Sequence, residues 1–320
     1  MRRHRACGAL GADEFDGWDF YMPHATTSPA EKRMILRRRL ATGEILVLPG
    51  AFNPLSVMLI EHRGFEAAYL SGAVLAADLG LPDVGLTTLT EVAQRASQVA
   101  RVTNLPLIVD ADTGFGDAMN VARAVQVLED AGVAGLHLED QANPKRCGHL
   151  DGKQVVNVDV AVRRIRAAAN ARRDPNLLLI ARTDARATGE LVDVIERAKA
   201  YVDAGADAIF PEALLDESEF DAMRSAIDVP LLANATEFGK GPVLNVAQLD
   251  ALGVDMVIFP ASLLRLAMGA AETGLATLRD EGGFASMLGT MQTRSALYEL
   301  LDYAGYQLFD ETVFDFQLPS

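Results

Sequence analysis

The chain has 320 residues, 50% of them hydrophobic, with 29 basic against 44 acidic side chains and a formal net charge of −15. A large core is possible at this length, and the acidic balance argues against nucleic acid or an anionic membrane surface as partner, because both recruit basic faces. No apolar stretch approaches the ~20 residues of a membrane helix, and two distant cysteines, Cys7 and Cys147, fit a reducing cytoplasm better than a disulfide framework.

Residues 1–28 mix Gly, Asp, Pro and Thr without periodicity and read as a loosely ordered extension. The basic start at Arg2, Arg3 and Arg5 is not expected to be a secretion signal, since the apolar stretch after it is short and Asp13, Glu14 and Asp16 follow. A single domain is expected over 29–320. Ser28 has the chemistry of an N-cap, with Pro29 at the first helical position and Glu31 at the third, and a basic helix follows over 30–40.

Apolar runs then recur at 45–51, 67–71, 105–110, 134–139, 177–182, 208–211, 229–234 and 256–259. Most lack alternation, as expected of parallel strands buried on both faces, and helical segments rich in Ala, Arg and Glu separate them. Gly64, Gly132, Gly205 and Gly253 each precede such a run, where a left-handed cap would turn the chain into the next strand. The order predicts an α/β fold, a (β/α)8 TIM-type barrel. Beyond it, 291–301 reads as helical and 303–316 is rich in aromatics that would need a partner if exposed.

In such a barrel the active site lies at the C-terminal ends of the strands. Five of the eight expected ends carry carboxylates, among them Asp110, Asp112, Glu139, Asp140, Asp184, Glu212 and Glu237. Converging carboxylates repel unless a cation sits among them, and oxygen donors without a His/Cys cluster favour Mg²⁺ or Mn²⁺ over Zn²⁺. Asp110 and Asp112, two residues apart, are the expected first ligands, with Asp83, Glu139 and Asp140 around them. A metal together with Lys145, Arg182 and Arg265 would make a cationic pocket suited to a small substrate bearing several carboxylates. Ser71, Asn234 and Thr236 can orient a carboxylate, whereas His137, within a strand, reads as a core histidine.

Past the fourth strand comes Lys145-Arg146-Cys147-Gly148-His149. A thiol is largely neutral near its ordinary pKa of about 8.5, and flanking positive charge favours the thiolate, so Cys147 beside Lys145, Arg146 and His149 is a candidate reactive cysteine.

Tyr69-Leu70-Ser71-Gly72, Leu81-Pro82-Asp83, Asp110-Ala111-Asp112-Thr113-Gly114-Phe115-Gly116, Leu138-Glu139-Asp140-Gln141, the Lys145 to His149 segment, Ala181-Arg182-Thr183-Asp184, Phe210-Pro211-Glu212-Ala213 and Asn234-Ala235-Thr236-Glu237-Phe238-Gly239 resemble the isocitrate lyase and phosphoenolpyruvate mutase superfamily. The similarity covers roughly residues 30–315, and within it the closest likeness is to the bacterial 2-methylisocitrate lyases. Cys147 selects the branch acting on tricarboxylates, because the superfamily's mutases and decarboxylases lack this cysteine. Arg146 and the compact length set the chain apart from isocitrate lyases proper, while Ala73 departs from the second glycine that many relatives carry after Ser-Gly.

The resemblance implies a Mg²⁺-dependent cleavage of methylisocitrate to pyruvate and succinate in propionate breakdown, in a cytoplasmic homotetramer built of two dimers that swap a C-terminal helix. It implies Cys147 as general acid, Tyr69 as the group that deprotonates the hydroxyl, and Lys145, His149 and Arg182 as further catalytic residues. Substrate contacts are expected from Ser71, Gly72, Ala73, Gly148, Glu212, Asn234, Ala235, Thr236, Arg265 and Arg294. Two alternatives use the same barrel: a mutase, decarboxylase or related lyase, and a binding protein without turnover.

Overall fold

The computed structural model describes residues 25–146, 148, 152–239, 241 and 244–314, so the expectations for residues 1–24, Cys147 and His149 lie outside the described residues. The described chain falls into two compact units, 25–291 and 292–314.

The first unit is built on eight strands, β1 (Leu46–Pro49), β2 (Ala68–Leu70), β3 (Leu107–Asp110), β4 (Gly135–Glu139), β5 (Leu178–Thr183), β6 (Ala208–Pro211), β7 (Leu232–Asn234) and β8 (Met256–Phe259). They pair in parallel in the orders β2-β3-β4-β5-β6 and β1-β8-β7. Parallel bridges Gly50 to Tyr69 and Ile209 to Leu231 join the two sheets, with Ala51 N donating to the Tyr69 carbonyl at 2.8 Å. The ring therefore closes as the expected barrel. Seven of the predicted runs contain their strands and the fifth strand runs one residue past its run, to Thr183; the seventh starts at Leu232, since Pro230 has no N–H to give a ladder.

Strand alternation sorts the side chains. Val109, Leu136, Leu138, Leu179, Ile209 and Val257 face the surrounding helices, while Leu48, Tyr69, Ile108, Ile180, Phe210 and Ile258 fill the barrel interior. Two residues beyond these interior positions, on the same inward side, stand Asp110, Arg182 and Glu212. The sequence thus places a charged layer directly on an apolar one, at the C-terminal mouth.

The opposite end is closed by helix Pro29–Leu40, which carries the expected Ser28–Glu31 capping box. Leu36 enters the interior core. Lys32 donates to the Ala100 carbonyl at 2.7 Å, Arg33 to Val133 at 3.0 Å and Arg37 to Leu177 at 3.1 Å, so the basic face satisfies carbonyls where the strands begin. Ala25 N bonds the Arg101 carbonyl and Thr26 and Thr27 bond Asn104, which moves the start of the folded unit upstream of residue 29. Gly132 and Gly205, at φ 88° and 105°, take the left-handed conformation that their helix ends require.

Helix Ser262–Glu281 is the last α-helix of the barrel unit and keeps only Gly274 buried, with Leu266 and Leu275 exposed by 69% and 66%. In the second unit the expected helical stretch begins at helix Arg294–Leu300, and Asp302, at φ 51°, breaks it from helix Tyr303–Phe314. Tyr298 and Tyr303 stack there at 4.9 Å. Among the described residues no helix is long and apolar enough to cross a membrane.

Candidate active site

Asp110 ends β3 and Asp112 follows in a turn at φ 46°, a conformation that Asp tolerates better than most residues. The turn, not strand alternation, brings the pair together: Asp112 N donates to Asp110 Oδ1 at 3.0 Å, and Gly72 N donates to Asp110 Oδ2 at 3.1 Å. A Cβ on Gly72 would stand 3.0 Å from Asp110 Oδ2 and 3.1 Å from Asp112 Oδ1, so only glycine lets the chain approach both carboxylates this closely. Lys145 Nζ sits 2.5 Å from Asp83 and 2.7 Å from Asp112, the latter off the direction of a hydrogen bond. Its charge is therefore held by two aspartates.

Beneath Asp110, Tyr69 Oη and His137 Nε2 are 2.8 Å apart, and the same nitrogen lies 3.6 Å from Asp110 Oδ1. Burial pushes His137 down to about 4, so its imidazole stands neutral, and burial followed by the Asp110 charge pushes the Tyr69 phenol well above its ordinary value. Across the barrel, Arg182 is gripped by Asp184 through two bonds of 3.0 Å and reaches Glu139 at 3.5 Å and Glu212 at 3.4 Å. Its guanidinium also lies 5.1 Å from the Phe210 ring centroid. Asn234 donates to Glu212 at 3.2 Å.

These groups open into one cleft at the barrel mouth, which Tyr69, Ser71, Glu139, Gly148, Arg182 and Asn234 all line. Among the described residues the ion-paired cluster at its floor sets six carboxylates, Asp83, Asp110, Asp112, Glu139, Asp184 and Glu212, against three cations, Lys145, Lys153 and Arg182, a formal excess of three negative charges that Arg146 at the cleft wall reduces to two. The excess shows in the acids themselves: burial, then the Asp110 charge, raises Asp112 to about 6, and burial raises Glu139 well above the carboxylate range. Glu139 Oε1 is buried without a hydrogen bond. Among the described residues no three His, Cys, Asp or Glu side chains already form an ion cage, yet a surplus of buried oxygen donors is the chemistry that suits a hard divalent cation.

Most expected residues converge here. Ser71, Ala73, Asp83, Glu139, Lys145, Gly148, Thr236 and Arg265 share the cleft with those already described, though Ser71 also caps helix Gly72–Asp78. Arg265 is half exposed and spends its charge on Glu237 at 2.8 Å. Ala235 lines a second cavity beside Phe220 and Leu249, with Glu212, Asn234 and Thr236 also in its wall. Arg294 opens the first helix of the C-terminal unit.

Asp140 does not belong to the carboxylate rim. It accepts from Thr183 at 2.7 Å, Asp184 N at 2.9 Å and Tyr201 at 2.8 Å, because alternation after Glu139 turns it outward against helix Leu191–Asp203. His137, read as a core residue, is both fully buried and part of the site. Lys153 was not expected to matter, whereas Asp184, read as a strand-end carboxylate beside Arg182, is where expected and grips that arginine.

The sequence profile of the phosphoenolpyruvate phosphomutase family matches residues 36–279. The chain is 55% identical over 296 residues to the probable 2-methylisocitrate lyase 2 of Corynebacterium glutamicum, covering 92% of this chain and 96% of that one. Among solved structures, an oxaloacetate acetylhydrolase bound to the inhibitor 3,3-difluorooxalacetate superimposes with a TM-score of 0.84 at 36% identity, over 91% of this chain and 99% of that one. A phosphonopyruvate hydrolase in complex with oxalate and Mg²⁺ does so with a TM-score of 0.80 at 30% identity, over 88% and 98%.

Proposed function

The chain belongs to the phosphoenolpyruvate phosphomutase family, and from that premise we propose that it is a carbon–carbon lyase that cleaves 2-methylisocitrate to pyruvate and succinate in propionate catabolism. The observation that carries the reading is near-full-length likeness to 2-methylisocitrate lyases in a chain whose sequence keeps both Lys145 to His149 and Arg182.

In the cleavage the substrate hydroxyl loses its proton and the adjacent carbon–carbon bond breaks. The electron pair moves onto the carbon next to a carboxylate, and that carbon takes up a proton to give succinate. Asp110 and Asp112, with Asp83 and Glu139, would hold a divalent cation, Mg²⁺ or Mn²⁺. When bound, it supplies Lewis-acid polarisation of the substrate's hydroxyl and neighbouring carboxylate.

Arg182, aligned by Asp184, stabilises the carboxylate on which negative charge grows, together with Asn234 and Thr236. Ser71, Gly72, Ala73, Gly148, Glu212 and Ala235 shape the remaining contacts, and Arg265 and Arg294 are assigned to the other carboxylates. Cys147 delivers the proton to the departing carbon, with Lys145 and His149 setting its acidity. Tyr69, 2.8 Å from His137 Nε2 beneath Asp110, is assigned to take the proton of the substrate hydroxyl.

Incubation of the full chain with 2-methylisocitrate and Mg²⁺ should release pyruvate and succinate in equal amounts, read by NMR; an intact substrate would refute the lyase reading. A cytoplasmic homotetramer, a dimer of dimers exchanging a C-terminal helix, fits the exposed leucines of helix Ser262–Glu281. Sedimentation equilibrium should then give four times 34.3 kDa, about 137 kDa, and a monomer at 34.3 kDa would contradict the assembly.

A further inference from the structure

We propose that Lys153 is a positioning residue: its buried ammonium ties the Gly148 carbonyl to Asp184 and so holds Gly148 against Arg182. After β4 the chain makes an excursion that closes on itself. Ala142 N donates to the Gln154 carbonyl at 2.8 Å, Val156 N to the Asp140 carbonyl at 2.9 Å, and Gln141 forms an antiparallel bridge with Val155. The Gln141 amide then brackets Arg146, accepting from its N–H at 2.8 Å and donating to its carbonyl at 2.9 Å.

Lys153 makes the tie nearest the chemistry. Its side chain is 1% exposed, and an ammonium so buried requires both counter-charge and hydrogen-bond acceptors. Asp184, itself fully buried, lies 3.0 Å away, and the Gly148 carbonyl accepts a second bond. The same Asp184 grips Arg182 through two bonds, so one carboxylate serves two cations. Gly148 in turn is pressed against the site: a Cβ there would collide with Arg182 Nη2 and stand 2.9 Å from Glu212 Cδ. Residue 147 is the next residue in the chain.

Two consequences follow from this geometry. Without the ammonium the Gly148 carbonyl loses its donor, which loosens the segment that carries the thiol. Without its charge, Asp184 pulls on Arg182 alone, leaving the guanidinium less free for a substrate carboxylate. The first should lower kcat and the second should raise KM. The inference rests on the lyase reading for its kinetic arm only.

The test compares Lys153→Met, Lys153→Gln and Lys153→Arg in the full chain, measuring turnover of 2-methylisocitrate with Mg²⁺, melting temperature, and iodoacetamide alkylation of Cys147 relative to Cys7. Lys153→Met should lose roughly 10- to 100-fold in kcat/KM, the range of groups that orient ligands from behind, with a changed Cys147 to Cys7 ratio and a lowered melting temperature, since a fully buried carboxylate loses one of its two counter-charges. Lys153→Gln keeps a donor without the charge, so its defect should fall mainly on KM, and Lys153→Arg should recover part of the loss. Unchanged kinetics and an unchanged alkylation ratio in Lys153→Met would overturn the proposal, as would losses in all three variants that merely track melting temperature. A wild-type chain that fails to cleave the substrate overturns the lyase reading instead, and the alkylation ratio still decides the role of Lys153.

Discussion

Replacing Asp110 with alanine should slow turnover by at least ~10³-fold, because a divalent ion supplies several kcal/mol of charge stabilisation and each ~1.4 kcal/mol is tenfold in rate. The barrel should survive the change. The Asp110 charge helps to raise Asp112 to about 6 after burial, while against its own burial His137, Lys145 and Arg182 hold the Asp110 carboxyl down at about 2, so its removal relieves one repulsion and gives up those attractions. What the alanine variant loses structurally is the acceptor for Gly72 N and Asp112 N, about 1–3 kcal/mol for each buried donor left unpaired. Asp110→Asn keeps that acceptor and should fold normally, yet it too should be inactive. Near wild-type turnover in either variant, or turnover that survives a chelator, would contradict the metal assignment.

Cys147→Ser should lower kcat by roughly 10²- to 10⁴-fold with KM little changed, the range for a lost general acid. Serine preserves size and hydrogen bonding while being a far weaker acid, so the loss isolates proton delivery. The three flanking cations are not equivalent in this respect. Lys145 is engaged by Asp83 and Asp112, and the Arg146 backbone is fixed by Gln141, so the segment is held by charges that also serve the carboxylate cluster. Pre-steady-state and steady-state rates of the serine variant decide the point. Turnover close to wild type would remove Cys147 from the mechanism.

The barrel was legible because parallel strands buried on both faces write themselves as apolar runs, and all eight appear where those runs lie. The rim was legible for a related reason, since the fold dictates which strand ends converge. Asp110 and Asp112 do meet, although a left-handed turn at Asp112, invisible in the spacing, is what turns them toward Gly72. Asp140 was misplaced by treating neighbouring acids alike, when alternation puts Glu139 inward and Asp140 behind the sheet.

His137 escaped because its sequence context, an apolar strand, is the same for a packing residue and for one that orients Tyr69 from the barrel interior. Lys153 escaped for a different reason. Its partners, Gly148 and Asp184, lie 5 and 31 residues away, and nothing local in Gly152-Lys153-Gln154 distinguishes a buried ammonium from a solvated one. Contacts made across an excursion have no sequence period.

Cleavage of 2-methylisocitrate is best judged by ranking substrates on one enzyme preparation. With Mg²⁺ present, kcat/KM for keto-acid release should be measured for 2-methylisocitrate, isocitrate, 2,3-dimethylmalate and oxaloacetate. The predicted result is the highest value for 2-methylisocitrate, with pyruvate and succinate as products. A higher kcat/KM for isocitrate or oxaloacetate would contradict the account.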